Sequence, residues 1–115
     1  MEVTARTKHL SISPQKLRLV CDKVRGLDAL QAKNVLEYMP QKGAGFVIKT
    51  LASALANAEN NYDIDPATLV VAQIWADEGT RLKRVKAGAR GRYKPRVKRL
   101  SHLTVVLSPR QNTEE

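Results

Sequence analysis

The sequence predicts an α+β protein with a long, protruding basic β-hairpin. Three observations carry this. Apolar residues recur at helical spacing in three stretches before residue 63. Strand-like runs stand at residues 3–10, 68–76 and 103–107. Half of the positive charge falls between the last two runs. At 115 residues the chain is long enough for one compact domain, spanning 1–115, and too short for two ordinary ones.

The first run alternates small apolar residues with Thr4, Arg6 and Lys8, the pattern of a half-exposed strand. Ser13-Pro14 then reads as N-cap and first helical residue; Leu17, Val20, Cys21 and Val24 share one face, and Gly26 supplies the stop. Asp28 is placed to cap a second helix, whose stripe is Ala32, Val35, Leu36 and Met39 and whose end is Pro40. The longest helix covers 42–62, with Val47, Leu51, Leu55, Ala58 and Tyr62 at helical spacing. Ala52, Ala54, Ala56 and Ala58 raise its propensity and permit close approach, which makes it the expected centre of the core. Asp63-Ile64-Asp65-Pro66 forms a turn into the β-branched run that contains Trp75. Trp75 is expected to anchor the base of the hairpin against the core.

Charge identifies the unusual segment. Lys and Arg number 20 against 11 Asp and Glu, for a net charge of +9. Ten of the bases lie in residues 81–99, where there is no acid, so this segment carries +10 and the rest of the chain −1. Such a run suits a polyphosphate backbone, whereas a merely solvated face mixes both signs. Gly88, Gly91 and Pro95 each offer a bend. With residues 75–86 running out and 93–104 returning, each arm reaches roughly 40 Å at ~3.3 Å per residue. That is more than the ~13 Å radius of gyration expected for a domain of this size, so most of the arm should project.

Other chemistries find no support. Cys21 has no second cysteine to bond, and with only His9 and His102 beside it no zinc-ligand spacing exists, so neither metal nor cofactor is expected. Cys21 lies on an apolar helix face and reads as a small core residue rather than a nucleophile. Lys42-Gly43-Ala44-Gly45 lacks P-loop spacing and reads as a helix start. No triad or nucleophile elbow is present, so an enzyme is not expected. There is no apolar stretch near 20 residues and no apolar leader at the start, which argues for a soluble, intracellular chain without a membrane partner. Aromatics make up only 4%, so recognition should rest on phosphates and shape rather than on base stacking. His102 is evenly placed between packing and phosphate contact.

Four blocks then resemble a known family: residues 13–20 (Ser-Pro-Gln-Lys-Leu-Arg-Leu-Val) with Arg25-Gly26; residues 53–61 (Ser-Ala-Leu-Ala-Asn-Ala-Glu-Asn-Asn); Glu78-Gly79 with Leu82-Lys83-Arg84; and residues 98–106 (Lys-Arg-Leu-Ser-His-Leu-Thr-Val-Val). In this order they resemble the bacterial type of large ribosomal subunit protein twenty-two. The resemblance implies three helices packed on a small antiparallel sheet, with the hairpin of residues 81–99 inserted between the last two strands. It also implies a structural constituent of the large subunit that binds 23S ribosomal RNA, aids its assembly, and lines the nascent-peptide exit tunnel with its hairpin. The implied partners are that RNA, neighbouring ribosomal proteins and the nascent polypeptide, in the cytoplasmic ribosome or an organellar one, with no homo-oligomer. The candidate RNA-binding residues are Lys16, Arg18, Arg81, Lys83, Arg84, Lys86, Arg90, Arg92, Lys94, Arg96, Lys98, Arg99 and His102; the candidate tunnel-lining tip is Gly88, Ala89, Arg90, Gly91 and Arg92. At the tip the family usually has Pro-Arg where this sequence has Ala87-Gly88, and a small residue where it has Tyr93. The competing class is an architectural DNA-binding protein that inserts a basic β-ribbon into a minor groove with Pro95 as wedge, usually as a dimer.

Overall fold

The computed structural model describes the backbone of residues 2–87 and 93–109, and the side chains of residues 2–79 and 99–109. The elements run β1 (Val3–Leu10), α1 (Pro14–Val24), α2 (Ala29–Glu37), α3 (Lys42–Tyr62), a 3-10 turn (Pro66–Thr68), β2 (Leu69–Ala87) and β3 (Tyr93–Pro109). The three strands form one antiparallel sheet in the order β1-β3-β2, and the three helices pack on it.

The alternation read in β1 decides which face the helices cover. Val3 and Ala5 are buried opposite Leu107 and Val105, with Thr7 opposite Leu103, while Thr4, Arg6 and Lys8 are exposed. Leu17, Val20, Cys21 and Val24 of α1 meet this face, together with Ala29, Ala32 and Leu36 of α2 and Val47, Leu51, Ala54, Leu55 and Ala58 of α3. At roughly 1.5–3 kcal/mol for each large aliphatic side chain removed from water, this one cluster dominates the energetics. Only two of the four alanines, Ala54 and Ala58, reach the core; Ala52 and Ala56 are exposed.

Local signals set the helix ends. Ser13 caps α1, its Oγ accepting from the Lys16 N–H at 3.5 Å. Gly26 follows with φ +87, a left-handed conformation that disfavours any Cβ. Its N–H donates to the Val71 carbonyl and the Val71 N–H donates back to Leu27, so the end of α1 is pinned to β2. The guanidinium of Arg25 reaches the Ile74 carbonyl at 2.8 Å, and Arg18 Nε reaches that of Ala76 at 3.2 Å. Here α1 supplies the hydrogen bonds that the outer edge of β2 would otherwise offer to another chain.

Several expectations are corrected. Trp75 does not anchor the hairpin in the core: Ile74 and Ala76 point inward, and Trp75 is 38% exposed on the other face, its Nε1 donating to Asp77. Tyr62 is 49% exposed at the end of α3, where the stripe has left the core. Asp28 stands at the N-cap of α2, but its side chain makes no capping hydrogen bond. The pairing expected of residues 75–86 with 93–104 is not among these corrections: Trp75 lies opposite Thr104 and Ala87 opposite Tyr93.

Candidate nucleic-acid interface

A groove forms where the starts of α1 and α3 meet. Its volume is about 350 Å3. Ser11, Ile12 and Ser13 form one side and Gln41, Lys42 and Gly43 another, with Lys16, Leu19 and Arg99 completing it. Gly43 makes the convergence possible: a Cβ there would lie 3.1 Å from Val20 and 3.3 Å from Ile12. Lys42 Nζ donates to the Ser11 carbonyl at 3.4 Å, which holds its charge at the rim. Three cations and no acid line the groove, and both helix starts add the positive end of the helix dipole. An anion is the natural occupant of such surroundings.

Arg99 joins this groove to the basic segment, since β3 carries it opposite Arg81. Beyond it the register sets Leu82 opposite Lys98, Arg84 opposite Arg96 and Lys86 opposite Lys94. Two of these three pairs, Arg84–Arg96 and Lys86–Lys94, set a basic residue opposite a basic residue in the ladder. Like charges directly opposite one another weaken a ribbon by roughly 0.2–1 kcal/mol per pair, a cost that a polyanion would remove.

The root of the basic segment is rigidly built. Bulges interrupt the ladder between Thr7 and Leu10 of β1 and between Glu78 and Arg81 of β2. His9 adopts φ +61 in the first, its N–H donates to His102 Nδ1 at 3.1 Å, and the two rings meet edge to face. His102 also packs on Gly79, where a Cβ would lie 3.0 Å from the ring. Packing therefore engages His102 fully enough that its Nδ1 is committed to the protein.

Of the sequence-predicted residues, Lys16 and Arg99 come together in the groove, and Arg18 is placed on the β2 edge. Arg81, Lys83, Arg84, Lys86, Lys94, Arg96 and Lys98 take the register positions of the basic ladder. The tip, Gly88, Ala89, Arg90, Gly91 and Arg92, lies outside the described residues. Leu19 is not singled out by the sequence, although it falls off the apolar stripe of α1, and it is 59% exposed. Lys42 belongs to the Lys42-Gly43-Ala44-Gly45 stretch, which reads as a helix start and not as a phosphate loop, and the structure brings it to the groove.

Cys21 is fully buried, and burial pushes its thiol up to about 11, which leaves it unreactive near neutrality. No group of three His, Cys, Asp or Glu among the described residues could hold a metal.

The fold and this interface define a small α+β protein whose positive charge gathers at one end of its sheet, a build suited to a structural rather than a chemical role. Residues 5–108 match the model of the family described as ribosomal protein L22p/L17e. The chain is 49% identical over 107 residues to the large ribosomal subunit protein uL22 of Thermomicrobium roseum, covering 93% of this chain and 91% of that one. It is 46% identical over 108 residues to uL22 of Magnetococcus marinus, covering 94% and 96%. It therefore belongs to the ribosomal protein L22p/L17e family, whose members are structural and not enzymatic.

Proposed function

We propose that this chain is a structural constituent of the large ribosomal subunit that binds 23S ribosomal RNA, aids its assembly and lines the nascent-peptide exit tunnel. The observation that carries the proposal is the basic ladder of β2 and β3, whose register sets Arg81, Arg84 and Lys86 opposite Arg99, Arg96 and Lys94. Arg81, Lys83, Arg84, Lys86, Arg90, Arg92, Lys94, Arg96, Lys98 and Arg99 neutralise phosphates along this arm, and the released counterions supply much of the affinity. Lys16 adds a contact from the globule. Residues 88–92 form the tunnel-lining tip, where the nascent polypeptide passes.

An arm that leaves the globule is part of this reading, and the pairing of β2 with β3 as far as Ala87 and Tyr93 supports it. Neighbouring ribosomal proteins complete the surroundings of a single copy in the cytoplasmic ribosome. Photocrosslinkers at positions 92 and 99 of the chain, in assembled large subunits, test this. Both should label 23S RNA, and position 92 should also label the nascent chain in translating ribosomes. Labelling of proteins alone from both positions would overturn the proposal.

A further inference from the structure

We infer that the groove between the starts of α1 and α3 receives one RNA nucleotide turned out of its stack, with its phosphate among Lys16, Lys42 and Arg99 and its base against Leu19 and Ile12. This rests on the RNA-binding reading and adds a position, a stoichiometry and a mode of recognition to it.

The lining is the first reason. A site for phosphate alone needs charge and hydrogen-bond donors, yet here the three cations share a cavity with two aliphatic side chains. Leu19 is 59% exposed, although α1 has a buried stripe for its other apolar residues. Aliphatic side chains and cations lining one cavity match a ligand with an apolar flat part and an anion, which is the form of a nucleotide.

Size is the second. About 350 Å3 stands at the small end of the range for whole small-molecule sites, roughly 300–1,000 Å3. A helix of paired RNA cannot enter it, and a lone phosphate would leave the aliphatic wall bare. RNA is read for sequence chiefly where bases are unstacked and splayed out, so a pocket of this size on an RNA-binding surface fits a single displaced nucleotide. Preorganisation is the third: Lys42 is held by Ser11, and the absent side chain of Gly43 sets the starts of the two helices against one another.

Two kinds of substitution separate the two halves of the nucleotide, read on the full chain binding a 23S RNA fragment across a salt series. Lys42→Ala should flatten the slope of log affinity against log salt by roughly 0.9, the value of one lost phosphate contact. Leu19→Ser should lower affinity about tenfold at every salt concentration and leave the slope unchanged, because it removes contact with a base and no charge. Probing with dimethyl sulfate and, for uridine, carbodiimide should show one nucleotide protected by the parent chain and exposed with Leu19→Ser. Both residues lie on the surface, and circular dichroism matching the parent establishes that the variants fold. If the parent binds tightly and both variants bind as it does, the groove is not a nucleotide site and the RNA-binding reading stands. If the parent itself fails to bind, both fall. A photocrosslinker at position 19 that labels a neighbouring protein in assembled subunits, and no RNA, would also overturn the inference.

Discussion

The backbone N–H of His9 donates to Nδ1 of His102 across 3.1 Å, tying the bulge of β1 to the strand that continues into the basic segment. Gly79 completes this joint, because its missing Cβ leaves room for the His102 ring and the Leu100 carbonyl, 3.0 and 3.1 Å from where a Cβ would stand. Gly79→Ala should cost roughly 1–3 kcal/mol in urea unfolding. Adding His102→Ala should recover part of that loss, since the ring can be removed but the backbone carbonyl cannot. Strictly additive costs would mean that the ring is not the obstacle.

Cys21 makes stability depend on pH in the alkaline range. The unfolded thiol titrates at its ordinary value of 9.0, while burial holds the folded one at about 11. The native chain therefore keeps a proton that the unfolded chain gives up, and stability fully present below about pH 9 is lost as pH rises towards 11. The loss should reach roughly 2–3 kcal/mol. Other groups titrate there too, so the readout is the difference between parent and Cys21→Ala in urea unfolding at about pH 8 and pH 11. The variant should lose less stability over this interval; equal losses would contradict a buried, neutral thiol.

Leu51 sits at the centre of the helical layer with 1% exposure. Leu51→Asp should bury an unpaired carboxylate and cost more than about 4 kcal/mol, a large part of a typical domain's stability of ~5–15 kcal/mol. The cooperative melt should fall steeply or vanish. Ala52→Asp, one residue on and exposed, should stay within roughly 0.5 kcal/mol of the parent. Equal effects at the two positions would show that the helix does not bury the face described.

What the sequence made legible was local. Ser13-Pro14, Gly26 and the alternation in β1 each act within a few residues, and each stands where the pattern put it. Trp75 lies on the outer face because parity along β2 decides, and the smaller Ile74 and Ala76 hold the inward positions. The parity was hard to foresee, because a bulge between Val71 and Gln73 shifts the register of β2 just before it. Arg18 and Arg25 serve the open edge of β2, a role that exists only once α1 lies beside that strand. The groove is likewise a product of tertiary structure, since Lys16, Lys42 and Arg99 come from three separate elements. Charge concentration, by contrast, was visible at once, and it is what directs attention to the arm.

If the globule folds independently of the basic arm and the arm holds folded RNA, shortening the arm should separate the two properties. Deleting residues 86–94 and joining the ends with Asn-Gly removes Lys86, Arg90, Arg92 and Lys94 and none of the core cluster. Val85 and Pro95, the residues joined, lie directly opposite each other, so a two-residue type I′ turn can close the shortened ribbon. The decisive measurement is chemical probing of 23S RNA in large subunits assembled with the shortened chain, after circular dichroism has shown its helical content unchanged. New reactivity confined to the RNA around the vacated tip, with the contacts of the globule intact, is the expected result. RNA reactivity identical to that of subunits holding the parent chain would contradict the claim.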